Sequence, residues 1–507
     1  MAVNVNETEA KYDTPAGAGL PRLDRLPEVA VASGPEQQRL DAEYYDTDDL
    51  RLLRAGITLR QRSGGNDAGW HLKLPLGHGT RREIRRPLNG DTRTVPGELA
   101  GLVRAHTRGA PLRPVARLTT IRQRLILLDD AGKSLAEVAA DDVSAQTMGE
   151  ATVLSRWQEV EVELTGGDRR LLEAADDLLR HYDGLRPAGR AAKLARALAG
   201  RLPEPEEPPQ LTASSPAGQV VLAYLRAHAG TLMSLDPLVR LDEPDAVHQM
   251  RVAGRRLRST LRSFRQILYQ DATSGLAADL KWLGGVLGAT RDGEVLDAHL
   301  RTGLRQAPVE LRIGPVEARI QGHFASARAA ARTDALAALD SDRYFSLLDD
   351  RDRLLAEPPF TAEAARPATE VLPVAARRAL WQADRRMRRA WRAAPGQQRE
   401  ECLHRARKSV RRARYAAEAA VPAAGGQAAS FARRMKQVQS VLGEHQDAVS
   451  ARAVARDLGI AAHLAGENAF TYGLLYEREC HQAATLQSAA RKTWQKASRQ
   501  RHRRWMS

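Results

Sequence analysis

The sequence predicts two unlike domains, an α+β domain carrying an antiparallel sheet and then an all-α bundle. Three observations support that division. Over roughly the first 200 residues, short segments alternate charged and apolar side chains between Gly and Asp turns, the pattern of half-buried strands. Beyond residue 215 the period changes to 3.6, in long Ala-, Leu- and Arg-rich runs. Between them, "RLPEPEEPPQLTASSPAG" (201–218) carries prolines at 203, 205, 208 and 209, which prevent helix and favour an extended spacer. These shifts place the domains at 1–200 and 215–507, with a Pro/Glu/Ser-rich linker at 201–214.

A chain of 507 residues with 43% hydrophobic content has enough apolar material for two or three packed cores. The net charge of +15 attracts polyanions, whether nucleic acid, anionic membrane or phosphate polymer, and does not choose among them. The two cysteines, Cys402 and Cys480, form no CxxC pair and have no metal spacing, which argues against a secreted disulfide scaffold. "MAVNVNETEAKY" lacks the basic start and apolar core of a signal peptide, and no run approaches the ~20 apolar residues of a membrane span. A soluble cytoplasmic protein is expected.

The strands of the first half can be read in order. "ETEAKY" (7–12) puts Glu7, Glu9 and Lys11 on one face and Thr8, Ala10 and Tyr12 on the other. In "ITLRQR" (57–62), Arg60 and Arg62 share a face. In "WHLKLP" (70–75), His71 and Lys73 lie opposite Trp70, Leu72 and Leu74. "RLTTIRQRLILL" (117–128) sets Arg122 and Arg124 against Ile121 and Leu125. "SLAEVAADDV" (134–143) is a further strand, and "WQEVEVELTGG" (157–167) aligns Glu159, Glu161 and Glu163 opposite Val160, Val162 and Leu164. "DRRLLEAADDLLRHY" (168–182) is helical. Any one of these strands could be a sheet with one wet face. The sorting by sign argues for more, because some strands present only carboxylates and others only Arg or Lys. Curled into a barrel, such a sheet would collect these groups in one lumen. Carboxylates there suit a hard divalent cation such as Mg²⁺ or Mn²⁺, and guanidinium forks suit phosphate.

"ETEAK" matches the ExExK motif that opens the CYTH domains, the triphosphate tunnel metalloenzymes. The resemblance runs on in the family's order through "YYDTDDLRLLRAGITLRQR", "WHLKLP", "RREIRRPL", "EVEVEL" and "GRAAKLARAL", over residues 1 to 200. It implies an eight-stranded antiparallel β tunnel with flanking helices. It also implies metal-dependent hydrolysis of inorganic triphosphate to pyrophosphate and phosphate. By this resemblance Glu7, Glu9, Glu161 and Glu163 bind Mg²⁺ or Mn²⁺, with Asp141 or Asp142 a further candidate. Lys11, Arg60, Arg62, Lys73, Arg122, Arg124 and Lys193 hold the triphosphate. Of these, Lys11, Arg60, Arg62 and Lys73 join Glu7 and Glu9 in the implied catalytic set. Arg82 and Glu83 fall where the family has another charged strand and receive no role; Glu159 continues the acidic face and is not taken as a ligand. The family also includes thiamine triphosphatases, adenylate cyclases and RNA triphosphatases, but no nucleotide-base pocket is legible here.

The second half has its own signature. In "VHQMRVAGRRLRSTLRSF" (247–264), His248, Arg251, Arg255, Arg258 and Arg262 fall within an arc of roughly 80°. Met250, Leu257, Leu261, Phe264 and Leu268 lie on a separate face. The stripe contains no acid, although its i,i+4 like-charge pairs each cost a few tenths of a kcal/mol. "LHRARKSVRRARYAAEAA" (403–420) repeats the spacing with His404, Arg407, Arg411, Arg412 and Arg414, and Glu418 stands where the first copy has Arg262. A second pair, "LKWLGGVLGATRD" (280–292) and "MKQVQSVLGEHQD" (435–447), matches Lys281 with Lys436, Gly288 with Gly443 and Asp292 with Asp447. Two helical repeats about a pseudo-twofold axis would bring the stripes together.

This arrangement resembles the CHAD domain, a conserved-histidine α-helical domain that binds inorganic polyphosphate, over residues 215 to 507. It implies two pseudo-symmetric helical bundles around a basic channel. The implied polyphosphate contacts are His248, Arg251, Arg255, Arg258, Arg262 and Lys281, with His404, Arg407, Arg411, Arg414 and Lys436 from the second copy. Nucleic acid is the lesser expectation, since the stripe adds no stacking aromatic or amide reader. The acid-free tail "RKTWQKASRQRHRRWMS" reads first as a solvated or frayed helix end, with a nucleic-acid contact or a further polyphosphate contact as the alternatives. The expected protein is thus a cytoplasmic inorganic triphosphatase that binds polyphosphate, with polyphosphate granules as a place of association and no membrane contact. The alternative is a non-catalytic polyphosphate-binding protein recruited to such granules.

Overall fold

The computed structural model describes residues 3–15, 22–77, 80–88, 94–149, 152–182, 185–188, 192–202 and 209–506, with backbone alone at 3–4 and 290–292. Part of the expected linker, 203–208, and the side chain of Asp292 lie outside the described residues. The chain forms two compact units, Met1–Glu207 and Pro208–Ser507.

Eight long strands build the first unit: β1 (Val3–Thr14), β2 (Glu36–Asp46), β3 (Thr58–Ser63), β4 (Gly69–Gly77), β5 (Thr80–Arg86), β6 (Arg113–Leu128), β7 (Ser134–Thr147) and β8 (Leu154–Leu164). They run antiparallel in the order β1-β5-β4-β3-β2-β6-β7-β8, and β8 returns to β1. The first strand closes the ring alone. Its opening residues pair with β5 (Glu7 opposite Arg81), and its later ones pair with β8 (Glu9 opposite Glu163, Lys11 opposite Glu161). The expected eight-stranded tunnel is therefore present, and closure leaves no long edge exposed.

Alternation then decides what faces outward. Tyr12, Leu127, Val138, Val160 and Val162 turn away from the lumen and pack under α1 (Arg169–Arg180) through Leu171, Ala175 and Leu179. Asp168 caps α1, its side chain accepting from the amides of Arg170 and Leu171 at 2.8 and 3.3 Å. Tyr12 anchors the same helix by donating to Asp176 at 2.6 Å. The stretch "DTDDLRLL" forms a tight hinge between β2 and β3. There the buried Asp46 accepts hydrogen bonds from the amides of Thr47, Leu52 and Leu53 at 2.7–2.9 Å. That cap turns the chain so that β3 enters with Arg60 and Arg62 facing the lumen.

The second unit is all helix: α3 (Ala217–Arg240), α4 (Ala246–Ser263), α5 (Gln270–Gln306), α6 (Val316–Leu339), α7 (Asp342–Ala356), α8 (Ala368–Arg392), α9 (Gln397–Ala419), α10 (Val421–Leu464, kinked at Gly425) and α11 (Phe470–Ala497). The two repeats meet about a pseudo-twofold axis. Equivalent helices pack on each other: α3 on α8, α4 on α9, α5 on α10. Pro216 and Pro367, which precede α3 and α8, form an antiparallel bridge. The Ala217 amide donates to Arg366 at 2.8 Å, and the Ala368 amide donates to Ser215 at 2.9 Å. The basic tail keeps its Lys and Arg side chains exposed, as a solvated end would, but its apolar residues do not follow. Trp494 and Met506 are buried and Trp505 rests against Phe431, because its aromatic and sulfur side chains outweigh its charge in deciding where it lies. Among the described residues no helix is long and apolar enough to cross a membrane.

Candidate functional sites

The tunnel encloses a cavity of about 400 Å³ into which all eleven residues expected from its motifs project: Glu7, Glu9, Lys11, Arg60, Arg62, Lys73, Arg122, Arg124, Glu161, Glu163 and Lys193. Register explains their convergence, since β1, β3, β4, β6 and β8 each contribute alternate residues to one lumen.

One wall is acidic. Glu7, Glu9 and Glu163 come together at the β1–β8 seam. Burial, and then the charges of Glu7, Glu9 and Glu161, push the Glu163 carboxyl up to about 7. Glu163 makes no ion pair among the described residues, whereas Glu7 accepts from Lys73 at 2.5 Å and Glu9 lies 3.2 Å from Lys11. Burial likewise raises the Glu7 carboxyl. Carboxylates suit a hard divalent cation by donor chemistry, but among the described residues the group of three whose oxygens all lie within 4.8 Å of one another is Asp141, Glu159 and Glu161, not this one. Glu83 sits beside the seam acids. Its carboxyl meets His71 Nδ1 at 2.8 Å and pairs with Arg85, while His71 Nε2 faces the Asp67 carbonyl at 2.8 Å.

A second acidic group is already filled. Asp141, Glu159 and Glu161 offer oxygens within 4.8 Å of one another. The ammonium of Lys193, the first residue of α2 (Lys193–Ala197), stands among them at 2.9, 2.7 and 2.7 Å. Burial opposes that charge, but Asp141, Glu161 and Glu159 together raise the lysine well above its ordinary range. Arg122 adds a forked contact to Asp141 at 2.7 and 2.8 Å and one to Glu161 at 2.8 Å. Lys11 also pairs with Glu161. Under burial alone Glu161 would rise; with these three cations it is held well below the usual carboxylate range. Asp141 and Asp142, alternatives for a further metal ligand, face opposite ways. Asp141 faces the lumen, while Asp142 faces outward to Arg156 at 2.6–2.9 Å.

The opposite wall is cationic. Arg60 donates to the Tyr44 hydroxyl at 3.1 Å and Arg62 pairs with Asp67. Burial and the nearby Arg60 and Arg122 push the Arg62 guanidinium down to about 9, the mark of a cation among cations. Arg124 reaches Glu137 at 2.8 Å. An anion entering here would relieve repulsion that the protein leaves in place.

The helical unit contains a larger basic cavity, of about 1010 Å³. Of the residues expected from the two stripes, Arg258, Arg262 and Lys281 line it, joined by Arg412. No carboxylate is among its described lining residues. Of the rest of the stripes, Arg251 lies against Gly288 on α5 and Arg407 against Gly443 on α10. Arg255 and Arg411, equivalent by the repeat, confront one another across the α4–α9 contact. Burial, then Arg255, pushes Arg411 down to about 10. Arg412 falls to about 10 through burial, Arg262 and Arg386. Gly288 and Gly443 hold matching places. A Cβ at either would meet the guanidinium of Arg251 (3.2 Å) or Arg407 (3.1 Å), so both glycines make room for an arginine of the stripe. His404 is half-buried, and burial with Lys408, Arg407 and Arg411 keeps it below its ordinary range. His248 is half-buried at the equivalent place, and Lys436 is exposed on α10. Arg414 differs from its counterpart Arg258, for it donates to Glu418 at 2.6 Å.

A CYTH family model matches residues 6–193, and a CHAD model matches residues 223–456. The chain belongs to the CYTH–CHAD proteins. Two uncharacterized proteins of Mycobacterium tuberculosis, from strains H37Rv and CDC 1551, are each 36% identical to it over 96% of both chains. Among solved structures it is similar to PptA from Streptomyces chartreusis (24% identity, 55% of this chain and 100% of that one, TM-score 0.48). It is also similar to the CHAD domain of the plant Ricinus communis (24%, 58% and 96%, TM-score 0.44).

Several lining residues were not among those singled out from sequence. In the CYTH tunnel, Arg81 and Arg85 flank Glu83 on the inner face of β5, and the signal was the alternation within "RREIRR". Arg82 points outward to Asn6 at 2.7 Å. Glu159, set aside as a ligand, belongs to the group around Lys193. In the CHAD cavity α8 supplies Arg377, Arg378, Arg385 and Arg386. Its arginine doublets at 377–378 and 385–386, two turns apart, were the available sign.

Proposed function

We propose that the CYTH unit, residues 1–200, hydrolyses inorganic triphosphate with a divalent metal and that the CHAD unit, residues 215–507, binds inorganic polyphosphate. The observation that carries the first half is a closed lumen sorted by charge, with carboxylates along the β1–β8 seam and guanidinium groups across from it. Glu7, Glu9 and Glu163 would hold Mg²⁺ or Mn²⁺, which when bound neutralises phosphate oxygens and activates water; Glu161, the fourth acid expected in this role, is already paired with Lys11, Lys193 and Arg122. Arg60, Arg62 and Arg124 bind the triphosphate through its oxygens, and their fixed forks hold it extended along the tunnel. Water oxygen then bonds to a terminal phosphorus while the bridging P–O bond breaks, and the water's protons pass to the phosphate formed and to solvent. The pyrophosphate that leaves gains negative charge beside Arg60, Arg62 and Lys73, which stabilise it. Lys11, Arg122 and Lys193, expected to hold the triphosphate, are paired with carboxylates instead, and in this reading they keep those acids from repelling the substrate.

The acid-free CHAD cavity supports the second half. A polymer with one negative charge per phosphate matches closely spaced arginines that otherwise repel one another. Association with cytoplasmic polyphosphate granules follows from that binding.

The test is phosphate release from tripolyphosphate with and without Mg²⁺ or Mn²⁺, in wild type and in Glu7→Gln/Glu9→Gln. Metal-dependent release that the double variant loses is the expected result. A second reading, a binding protein without catalysis, draws on the ion pairs Lys73–Glu7 and Lys11–Glu9, which give those acids partners without a metal. Polyphosphate binding with no release from tripolyphosphate would select it.

A further inference from the structure

The CHAD cavity holds a side chain that a purely phosphate-binding site does not require. Trp381, on α8, lines it and is 56% exposed, whereas the chain's six other tryptophans are buried or half-buried. Arg385, one turn further along α8, places its guanidinium 5.1 Å from the centre of the indole ring. Even with that contact, more than half of the residue remains open. Leu261, Ala277, Ala375 and Ala379 give the same cavity an apolar wall. Around this wall stand Arg258, Arg262, Arg377, Arg378 and Arg412, with no carboxylate among the described lining residues.

We propose that this cavity takes a nucleoside 5′-polyphosphate, its base stacked on Trp381 and its phosphates held by the surrounding arginines. The proposal rests on the reading of the cavity as a polyphosphate site and adds an end group to that ligand. An indole beside a guanidinium is a platform for a flat, π-faced group, and every nucleobase has such a face. Inorganic polyphosphate has none, so an exposed Trp381 gains nothing from it. The cavity, about 1010 Å³, lies at the upper end of the range of roughly 300–1,000 Å³ usual for small-molecule sites, enough for a nucleoside beside its phosphates. A single platform stacks a single base. Proteins that hold single-stranded nucleic acid present successive aromatics along a groove, and Trp381 is the one aromatic among the described residues lining this cavity. The nucleotide is therefore favoured over the strand.

The test is titration calorimetry of the full chain, in EDTA to prevent hydrolysis, with adenosine 5′-tetraphosphate and inorganic tetraphosphate. Inorganic tetraphosphate carries at least as much negative charge, so a preference for the nucleotide is not electrostatic. Any binding in the tunnel is common to wild type and variant and drops out of their comparison. We expect wild type to favour the nucleotide about tenfold, the usual scale of one base stacked on an aromatic. Trp381→Ala should bring the two ligands within about twofold while leaving inorganic tetraphosphate unchanged, and Trp381→Phe should keep part of the preference. Equal affinities in wild type, or a preference that survives in Trp381→Ala, would overturn the proposal. So would a single-stranded oligonucleotide that binds with the Trp381 dependence while the nucleotide does not. If Arg258→Gln/Arg262→Gln binds inorganic tetraphosphate as wild type does, the polyphosphate reading itself falls, and this proposal with it. Loss of the base preference alone leaves that reading standing.

Discussion

Replacing Lys193 by Met removes the cation at the centre of Asp141, Glu159 and Glu161 while keeping most of the side-chain volume. The lysine is 9% exposed and its three carboxylate partners are 0%, 6% and 11% exposed, so little water is available to replace it. Breaking a buried pair from one side costs about 3–5 kcal/mol. Arg122 still serves Asp141 and Glu161, so the lower end applies, about 3 kcal/mol. Glu159 bears most of it, because among the described residues its remaining hydrogen bond comes from the Trp157 indole N–H at 2.7 Å. For a unit of this size, each kcal/mol moves the melting temperature by about 2–4 °C, giving a fall of roughly 6–12 °C. Differential scanning calorimetry of the full chain reads this as a shift of one transition. Adding Glu159→Gln should recover part of the loss by removing the stranded charge. A shift under about 2 °C, or no recovery in the double variant, would refute the claim that the ammonium is structurally required there.

Three further outcomes follow from the geometry. Glu163 has a folded value of about 7 against an ordinary 4.5, so between these the folded tunnel retains a proton that the unfolded chain has released. Without metal, the tunnel's stability should therefore fall as pH rises from about 4.5 to 7, by on the order of 3 kcal/mol, and Glu163→Gln should flatten that fall in melts run in EDTA. Gly443→Ala should raise the melting temperature of the helical unit, since Ala gains up to about 1 kcal/mol over Gly within a helix. It should also weaken polyphosphate binding, because the new methyl displaces Arg407 by a few tenths of an ångström; unchanged affinity would show that Arg407 does not touch the polymer. Arg258→Gln/Arg262→Gln should weaken polyphosphate binding and lower the slope of affinity against salt, measured by titration at several ionic strengths.

Much of the tunnel was legible because a strand's period is fixed. Once Glu7, Glu9 and Lys11 lie on a strand they must share a face, and all of them reach the lumen. What remained illegible depended on register. Asp141 and Asp142 are neighbours on opposite faces, and only the pairing of Arg122 with Asp141 shows which one enters. The motif "GRAAKLARAL" located Lys193 but not its partners, which come from β7 and β8, more than thirty residues earlier in the sequence. In the helical half, comparing the two repeats exposed the paired stripes because each occurs twice. The same comparison could not find the α8 arginines or Trp381, since α3, the equivalent helix, carries no counterpart to them.

The seam between β1 and β8 also governs how the chain must be made. Glu9 and Glu163 pair across nearly the whole length of the first unit. Until residue 164 has been added, β1 has β5 to pair with and lacks the full length of β8. Glu7 and Glu9 then face solvent without Glu161 or Glu163. Sealing the barrel and assembling the acidic wall are thus one event, and it comes before the chain supplies Lys193 to the group formed by Asp141, Glu159 and Glu161.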